Sequence, residues 1–413
     1  MDYLTSLQKM NSAQQQKAAL ITEHRIFTYD DLIKAAQAIR DAADFSSKCI
    51  FIHEDEIAAQ LIEFIAYSGT ETVPVIATKV SRRQQFSVEN ISPHACMGVM
   101  TSGSTGKSKL LWRSYESWAD FFPEQNKIFG IDEHSIIFCQ GSLAFTGNLN
   151  IYMGVLAAGA AIVAADRFAP KKWLAMMDEY EVNAIYMIPS KLMVLAKAAV
   201  GRNYKVRQII SGSQSMGKSK AAELKRIFPN AEITLYYGAS ELNYITYIKD
   251  ADMTDDETLI GRPFDGVRVR IENGEIMVDT PYAIESISMP FSLKDRGRMD
   301  ENGNLYFQGR SDDIININGI KISACKVEQA ILRRLPCRET AVMVLSHKGT
   351  DVLTAFAVLD EGSSIARADL LKALRQELTD YEIPKKFIYL NELPKNESGK
   401  IDRRALSELY KTV

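Results

Sequence analysis

Residues 100–109 read MTSGSTGKSK, a stretch whose hydroxyl residues, glycines and lysine are typical of a phosphate-binding loop. Gly103 and Gly106 permit sharp turns of the backbone, so that N–H groups, hydroxyls and the Lys107 ammonium can point at one anion. The spacing differs from that of the nucleotide loop G-x-x-x-x-G-K-[ST], because Thr101 stands five residues before Gly106. A flexible Ser/Gly linker has a similar composition and is the alternative interpretation of this stretch taken alone.

The composition predicts a globular protein that is long enough for two or more domains. The chain has 413 residues, of which 46% are hydrophobic and 24% charged. Its net charge of −3 offers no basic surface for nucleic acid, and no apolar run approaches the roughly 18 residues of a membrane span. The start, MDYLTSLQKMNSAQQQ, lacks the apolar core of a signal peptide, which predicts a cytoplasmic location. The scattered cysteines and histidines argue against a zinc site or a disulfide framework.

Alternating helix and strand patterns in the first part of the chain predict a parallel sheet covered by helices. Thr28 and Asp31 form a capping-box pattern ahead of an apolar stripe with helical spacing. Ile57, Leu61 and Ile65 repeat every four residues and predict a second helix. Short apolar runs predict strands at residues 49–53, 72–77, 135–139, 160–165, 183–188, 206–210 and 232–238.

The pattern then changes to hairpins and to a separate C-terminal domain. VRVRIENGEIMV places apolar residues on both sides of Asn273-Gly274, a favoured two-residue turn, and RMDENGNLYF is a second hairpin candidate. Beyond the polar stretch GRSDDIININGIKIS, the pattern indicates a helix, two strands, another helix and a last strand. We therefore predict an α/β fold, with an N-terminal body over residues 1–311 and a small α+β domain over residues 312–413.

Five motifs occur in a fixed order along the chain. They are TSGSTGKSK, YYGASE (236–241), SLKDRGRMD (292–300), GRSDDIININGIKI (309–322) and PKNESGKIDRR (394–404). In this order and at these separations they resemble the adenylate-forming superfamily of acyl-CoA synthetases, aryl-acid ligases, nonribosomal-peptide adenylation domains and luciferases. The resemblance implies a large N-terminal body, a mobile C-terminal lid, and conversion of a carboxylate and ATP to an acyl-adenylate and pyrophosphate.

For the loop, the resemblance implies that it holds the β- and γ-phosphates of ATP while pyrophosphate leaves. Hydroxyls, amides and an ammonium suit that task because they stabilise negative charge. Thr105 is also expected to be catalytic. The nucleotide-binding residues of the loop are Thr101, Ser102, Gly103, Ser104, Thr105, Gly106 and Lys107.

For YYGASE, the resemblance implies contacts with the nucleotide and with Mg²⁺. Tyr237 offers a flat face for adenine, although packing in the core is the alternative interpretation. Glu241 supplies a hard oxygen ligand for a Mg²⁺ ion that bridges phosphates, and it is expected to be both catalytic and metal-binding. Gly238 and Ser240 are expected to line the nucleotide site.

Further positions match nucleotide-contacting residues of the family. Gly212 and Ser213 resemble the segment whose backbone lines the adenine pocket, although any strand-end turn favours small residues. Asp295 matches an aspartate that accepts hydrogen bonds from both ribose hydroxyls, with an exposed turn aspartate as the alternative. Arg310 matches an arginine that contacts ribose or phosphate just before the domain joint.

The C-terminal domain carries the residues that the resemblance assigns to two half-reactions. Lys400 matches the lysine that meets the carboxylate and the α-phosphate during adenylation. Asp312 matches the hinge about which the lid rotates, and Gly319 the loop that then lines a tunnel for the attacking thiol. Asn318-Gly319 is equally a hairpin turn.

The sequence specifies the carboxylic acid substrate and the thiol acceptor less closely than the nucleotide site. Phe145 and Asn148 are candidate walls of a pocket that suits a small aryl acid with polar substituents, such as a dihydroxybenzoate of siderophore pathways. A medium-chain fatty acid is the alternative. Residues 141–150 contain no acid where amino-acid-activating members place an aspartate, so a free amino acid is disfavoured. The acceptor is either CoA or the phosphopantetheine arm of a carrier protein.

One departure from the family bears on function. The body before the phosphate loop is shorter than in most members, with the gap between Val80 and Ile91. A regulatory relative that binds an adenylate without turnover is the non-enzyme hypothesis. The presence of both Glu241 and Lys400 argues against it.

Overall fold

The computed structural model describes residues 2–77, 86, 88, 91–102, 108–310, 314–317, 320–347, 350–395 and 401–412. The chain divides into two compact units. The first comprises Met1–Arg270, Met277–Phe291 and Asp300–Leu305, and the second comprises Ile271–Ile276, Ser292–Met299 and Tyr306–Val413. The boundary expected at Asp312 lies outside the described residues and stays a prediction.

The first and larger unit alternates helices with strands, and each strand predicted from the apolar runs is present. Its described helices are α1 (Tyr3–Gln8), α2 (Ser12–Gln15), α3 (Tyr29–Ala42), α4 (Ile57–Tyr67), α5 (Phe122–Phe129), α6 (Thr146–Ala157), α7 (Pro170–Glu179), α8 (Pro189–Ala198) and α9 (Lys218–Ile227). Its described strands are β1 (Ala18–Ile21), β2 (Ile26–Thr28), β3 (Cys49–Ile52), β4 (Val73–Ile76), β5 (Ala95–Ser102), β6 (Ser108–Ser114), β7 (Ile136–Gln140), β8 (Ala161–Ala165), β9 (Ala184–Tyr186), β10 (Gln208–Gly212), β11 (Glu232–Ala239), β12 (Asn243–Lys249) and β13 (Leu259–Pro263).

The main sheet of this unit has the strand order β13-β12-β11-β10-β9-β7-β8-β1-β2. Its central strands, which have the neighbour order β8-β7-β9-β10-β11, pair in parallel. The strand β12 returns antiparallel to β11. Because the carboxyl ends of parallel strands meet at one edge, Gln140, Gly212 and Ala239 lie along the same edge of the sheet. In open α/β sheets this edge is where ligands bind.

A second sheet in this unit has the order β3-β4-β5-β6 and holds the phosphate-loop sequence. β5 and β6 are antiparallel neighbours, and their pairing reaches Thr101 with Lys109 and Ser102 with Ser108. The predicted loop therefore connects two strands that are paired up to its ends. Residues 103–107 lie outside the described residues.

Two local predictions are confirmed by the geometry. At the start of α3 the Thr28 hydroxyl accepts a hydrogen bond from the Asp31 amide, and the Asp31 carboxylate accepts one from the Thr28 amide. Asn273 and Gly274 have φ of 53° and 78°. They join β14 (Arg268–Glu272) to β15 (Glu275–Asp279) as the two-residue turn that the Asn-Gly pair favours. The strands β16 (Phe291–Met299) and β17 (Leu305–Arg310) follow.

The second unit contains the small α+β domain. Its further elements are β18 (Ile314–Ile317), β19 (Ile320–Ser323), α10 (Ala324–Arg334), β20 (Cys337–His347), β21 (Thr350–Leu359), α11 (Arg367–Leu374), β22 (Lys386–Tyr389) and α12 (Arg403–Thr412). The sheet β20-β21-β22 has apolar residues on both faces. Val327 and Ile331 of α10 pack in one cluster, and Leu406 and Tyr410 of α12 pack in the other. Helix α12 is not among the predicted elements.

Among the described helices, none combines the length and the hydropathy that a membrane crossing requires.

Candidate active site

The motif YYGASE occupies the end of β11 and the turn into β12. The ladder shifts register between Tyr237 and Gly238, and the turn closes at Asn243, whose φ is 64°. A Cβ at Gly238 would stand 2.6 Å from the Asn243 carbonyl oxygen, so only glycine fits there. This close approach positions Glu241, which is half-buried and whose carbonyl accepts a hydrogen bond of 2.9 Å from the Ile284 amide.

Arg113 holds the same turn from β6, the strand that leaves the phosphate loop. Its guanidinium Nε and Nη2 donate to the Ser240 carbonyl at 3.1 and 2.5 Å. Nη1 donates to the carbonyls of Ser117 at 2.7 Å and Tyr282 at 3.0 Å. Arg113 is 0% exposed, so one buried side chain ties three chain segments to the residue before Glu241.

The guanidinium of Arg113 stays charged at neutral pH although it is bonded to carbonyl groups only. Burial lowers the pKa of Arg113 to about 10, and the nearby groups Cys96 and Glu241 oppose that shift. Burial also raises the pKa of the Cys96 thiol to about 12. The cation of Arg113 therefore interacts electrostatically with Glu241 as well as with the backbone beside it.

The start of α6 lies against this turn. The hydroxyls of Thr146 and Ser240 share a hydrogen bond of 3.0 Å. Phe145 is the residue that precedes α6, and the Asn148 amide donates to the Ser142 carbonyl at 2.9 Å. The segment predicted to bind the acid is thus adjacent to the segment predicted to bind the nucleotide.

A buried pair of tyrosines packs against the backbone of the predicted adenine turn and of α6. The hydroxyls of Tyr186 and Tyr236 share a hydrogen bond of 2.7 Å, and burial raises the pKa of Tyr236 to about 12, with Tyr186 opposing. A Cβ at Gly212 would stand 2.4 Å from the Tyr236 ring, and one at Gly147 would stand 2.5 Å from the Tyr186 hydroxyl. The two glycines allow the backbone of the predicted adenine turn and of α6 to contact these rings.

Two further residues predicted to contact the nucleotide, Tyr237 and Ser213, lie at the ends of β11 and β10. Tyr237 is half-buried, whereas Tyr236 on the opposite face of β11 is 8% exposed and packs at 4.7 Å, centroid to centroid, against Tyr244. The core-packing interpretation therefore fits Tyr236 rather than Tyr237. Ser213 follows β10 with a φ of 67°, so the strand ends in a sharp turn.

Within the second unit, two predicted ribose-contacting residues form an ion pair. Arg310 Nε donates to the Asp295 carboxylate at 3.0 Å. Asp295 is 2% exposed and lies in β16, so the alternative of an exposed turn aspartate is wrong. A buried carboxylate held beside a half-exposed arginine suits hydrogen bonds to hydroxyl groups.

A Mg²⁺ ion fits this donor set only as a partner of bound phosphates. Within the described ranges, no group of three His, Cys, Asp or Glu side chains lies close enough to hold a metal. Mg²⁺ is commonly bound by one or two carboxylates together with substrate phosphates, and Glu241 supplies one such carboxylate. A Mg²⁺ site here would therefore depend on ATP.

The chain matches two family models, one for each part. Residues 7–283 match the AMP-binding enzyme model, and residues 326–400 match the model of the AMP-binding enzyme C-terminal domain. The first match covers more than half of the chain. The chain belongs to the AMP-binding enzyme family. This family membership confirms the resemblance seen in the motifs.

Relatives of this AMP-binding enzyme include ligases and peptide synthetases. An uncharacterised acyl-CoA ligase of Bacillus subtilis is 29% identical over 321 residues, which cover 73% of this chain and 66% of that protein. A dimodular nonribosomal peptide synthase of Bacillus subtilis is 25% identical over 409 residues, which cover 88% of this chain and 17% of the synthase. The chain thus spans less than two thirds of these relatives.

Solved structures share the fold. ATP-bound MatB from Rhodopseudomonas palustris is 18% identical with a TM-score of 0.83, over 99% of each chain. The O-succinylbenzoate coenzyme A synthetase MenE from Bacillus subtilis, in complex with ATP and magnesium ion, is 20% identical with a TM-score of 0.80, over 98% of this chain and 99% of that one. At these identities the likeness shows the fold, a large α/β body and a smaller C-terminal domain.

Several predicted site residues of this AMP-binding enzyme lie outside the described residues or have no described side chain. For Thr101 and Ser102 only the backbone in β5 is described. The assignments outside the described residues stay predictions: Gly103, Ser104, Thr105, Gly106, Lys107, Asp312, Gly319 and Lys400.

Three groups around the site, the buried Arg113 and Tyr186 and the half-buried Lys191, are not among the predicted residues. Arg113 could have been found, because it is a charged residue in the otherwise apolar strand sequence LLWRS. Tyr186 and Lys191 carry no comparable signal, since a tyrosine in an apolar strand and a lysine in a helix are common in any fold. Only the sheet order brings them to the site.

We expect Glu241→Gln to raise the Mg²⁺ concentration needed for half-maximal adenylation by about tenfold or more, because a neutral amide is a weaker ligand than a carboxylate. The measurement is a Mg²⁺ titration of acid-dependent pyrophosphate exchange. Glu301→Gln, in an exposed turn, is the matched control. An unchanged titration in Glu241→Gln would remove Glu241 from the metal site.

Proposed function

We propose that this AMP-binding enzyme uses ATP to convert a carboxylic acid to an acyl-adenylate, with release of pyrophosphate, and then transfers the acyl group to a thiol. The acid oxygen attacks the α-phosphorus, the bond to the pyrophosphate oxygen breaks, and the thiol sulfur later displaces AMP from the acyl carbon. The thiol proton leaves to solvent.

One observation carries this proposal most directly. Arg113 leaves the phosphate-loop hairpin on β6 and fixes the carbonyl of Ser240, beside Glu241. A fully buried side chain therefore links the strand that follows the loop sequence to the turn that carries Glu241, the predicted Mg²⁺ ligand. Such rigid support is what a site needs if it is to stabilise the charge that develops on a leaving pyrophosphate.

The proposed roles of the individual residues follow their chemistry. The hydroxyls and Lys107 of the loop, with Thr105 among them, bind the β- and γ-phosphates. Lys400 offsets the negative charge that builds up around the α-phosphorus. Asp295 and Arg310 bind the ribose hydroxyls, and Tyr237 with the Gly212–Ser213 turn binds adenine. Rotation at Asp312 exchanges Lys400 for the Gly319 loop between the two half-reactions.

Our proposal for the carboxylic acid and for the acceptor thiol is more specific than membership of the family. Phe145 and Asn148 suit a small aryl acid with polar substituents, such as a dihydroxybenzoate, with a medium-chain fatty acid as the alternative. The acceptor is CoA or the phosphopantetheine arm of an acyl or aryl carrier protein. Relatives that are acyl-CoA ligases favour the former, and those that are peptide synthases favour the latter. A siderophore pathway and a cytoplasmic location stay predictions from the sequence.

Pyrophosphate exchange tests the proposal because it reports adenylation whatever the acceptor. Purified protein is incubated with ATP, Mg²⁺, labelled pyrophosphate and single acids of the aryl, dicarboxylic and fatty classes. We expect label in ATP only when an acid that the enzyme accepts is present. Nucleotide binding without exchange for any acid would instead support the regulatory, non-enzyme relative.

A further inference from the structure

Lys191 is a half-buried cation at the ligand edge of the main sheet. It lies in the first turn of α8, and its Nζ donates to Oε1 of Gln140, the last residue of β7. Gln140 in turn donates to the Asp166 carbonyl at 3.3 Å.

Lys191 has no acidic partner within the described part of the chain. Asp166, the acid next to its hydrogen-bonded neighbour, uses its carboxylate to accept a hydrogen bond of 3.2 Å from the Ile57 amide. Burial lowers the pKa of Lys191, and no carboxylate opposes that shift. An ammonium has three N–H donors, and a desolvated one is costly to keep unless an anion or further acceptors reach it.

A second donor faces the same space as Lys191. Gly141 has no side chain and a φ of 109°, a conformation that other residues rarely adopt. The point where a Cβ of Gly141 would stand is 3.3 Å from Nδ2 of Asn148 and 4.0 Å from Nζ of Lys191. Asn148 uses one N–H on the Ser142 carbonyl, and an amide nitrogen carries two. Two nitrogen donors thus lie beside Gly141, on the side where another residue would carry its side chain.

The sheet register fixes how far this point is from the predicted nucleotide turn. Cys139 pairs with Tyr186, and Tyr186 pairs with Ile210, so Gln140 is level with Ser211 two strands away. With neighbouring strands about 4.8 Å apart, that separation is about 10 Å. The donors lie beside the Gly212–Ser213 turn rather than in it, and Asn148 belongs to α6, the helix that Phe145 precedes.

We propose that Lys191 and Asn148 bind a second carboxylate on the acid, so that the substrate is a small dicarboxylic acid activated at one end. The inference rests on the proposed function, since it concerns the acid that is adenylated. A carboxylate accepts from both donors at once, and it supplies the counter-charge that Lys191 lacks. The inference therefore replaces the hydroxyl substituents of a dihydroxybenzoate, which Phe145 and Asn148 taken alone would also suit, with a second carboxylate.

The test compares acids that differ by one charge at nearly constant shape. Succinate is paired with monomethyl succinate, and isophthalate with monomethyl isophthalate, in the pyrophosphate exchange assay. We expect kcat/KM for the better diacid to exceed that for its monoester by about 100-fold, because a buried polar site rejects an analogue that leaves its groups unpaired. 2,3-Dihydroxybenzoate and octanoate serve as acids without a second carboxylate.

Variants at Lys191 show whether this side chain causes the preference. Lys191→Met is expected to raise KM for the diacid by about 100-fold and to leave the monoester unchanged, since the monoester does not use the cation. Lys191→Arg keeps the charge and should retain most of the preference. Lys197→Met, an exposed lysine on the same helix, is the matched control, and the thermal unfolding midpoint of each variant monitors folding.

The outcomes separate the inference from the proposed function. If the wild type accepts monoesters, dihydroxybenzoate or octanoate as well as the diacids, or if Lys191→Met keeps the diacid preference, the second carboxylate site is wrong while adenylation stands. If no acid of any class supports exchange, the proposed function itself is contradicted, and the inference with it.

Discussion

Arg113→Met should lower the free energy of unfolding of the first unit by about 3 kcal/mol or more. The substitution leaves the buried carbonyl of Ser117 and the partly buried carbonyls of Ser240 and Tyr282 without their donor. An unsatisfied buried group costs about 1–3 kcal/mol, and the two partly buried carbonyls add to that loss, so we expect a large effect for a single substitution. Urea titration followed by tryptophan fluorescence measures it, because all three tryptophans, at positions 112, 118 and 173, lie in the first unit.

The same variant should lose adenylation beyond what unfolding explains. In the fraction that remains folded below the unfolding midpoint, pyrophosphate exchange is expected to fall at least about tenfold, because the turn that carries Glu241 is no longer fixed. Arg268→Met removes an exposed arginine paired with Asp279 and should change stability by less than about 0.5 kcal/mol. Full pyrophosphate exchange activity in the folded fraction of Arg113→Met would show that the hydrogen bonds of Arg113 contribute to stability only.

Lys400→Ala should abolish acid-dependent pyrophosphate exchange, with a loss of about 10²–10³-fold, the size found when one charge-stabilising donor is removed from an active site. Thioester formation from a synthetic acyl-adenylate should proceed at the wild-type rate. The reason is that Lys400 is proposed to stabilise charge in the adenylation transition state alone. Rapid-quench measurement of both steps on the same preparation separates the two effects.

Lys395 provides the matched control in the same motif. Its Nζ forms an ion pair of 2.5 Å with Glu339, and both side chains are about one third exposed, so Lys395→Ala should change exchange by less than about threefold. Exchange at the wild-type rate in Lys400→Ala would refute the role of Lys400. Equal loss of both half-reactions would show that its role is not confined to adenylation.

The chemistry and the fold class could be predicted because they depend on local sequence. Capping at Thr28 and Asp31 involves residues three apart, and the Asn273-Gly274 turn needs two residues of one conformational type. The motifs identify the family for the same reason, since a phosphate loop is a run of hydrogen-bond donors within ten residues. Strand positions were predictable because apolar runs bounded by turns are themselves local patterns.

The support of the site could not be predicted, because it depends on which strands become neighbours. Arg113 and Ser240 are 127 residues apart, and Tyr186 and Tyr236 are 50 apart. No sequence spacing links such pairs; the strand order β11-β10-β9-β7 does. The same holds for Asp295, whose burial against Arg310 distinguishes it from the exposed turn residue that the sequence allowed equally.

By itself the sequence determined the family and predicted the residues that bind ATP, because those groups are specified by type and by short spacing. Only the tertiary structure decided what surrounds them. It placed Lys191 and Asn148 beside Gly141, with no acidic partner for the lysine in the described part of the chain. Charge balance in a buried site is a property of all neighbours in space, so it appears only once the sheet has brought them together.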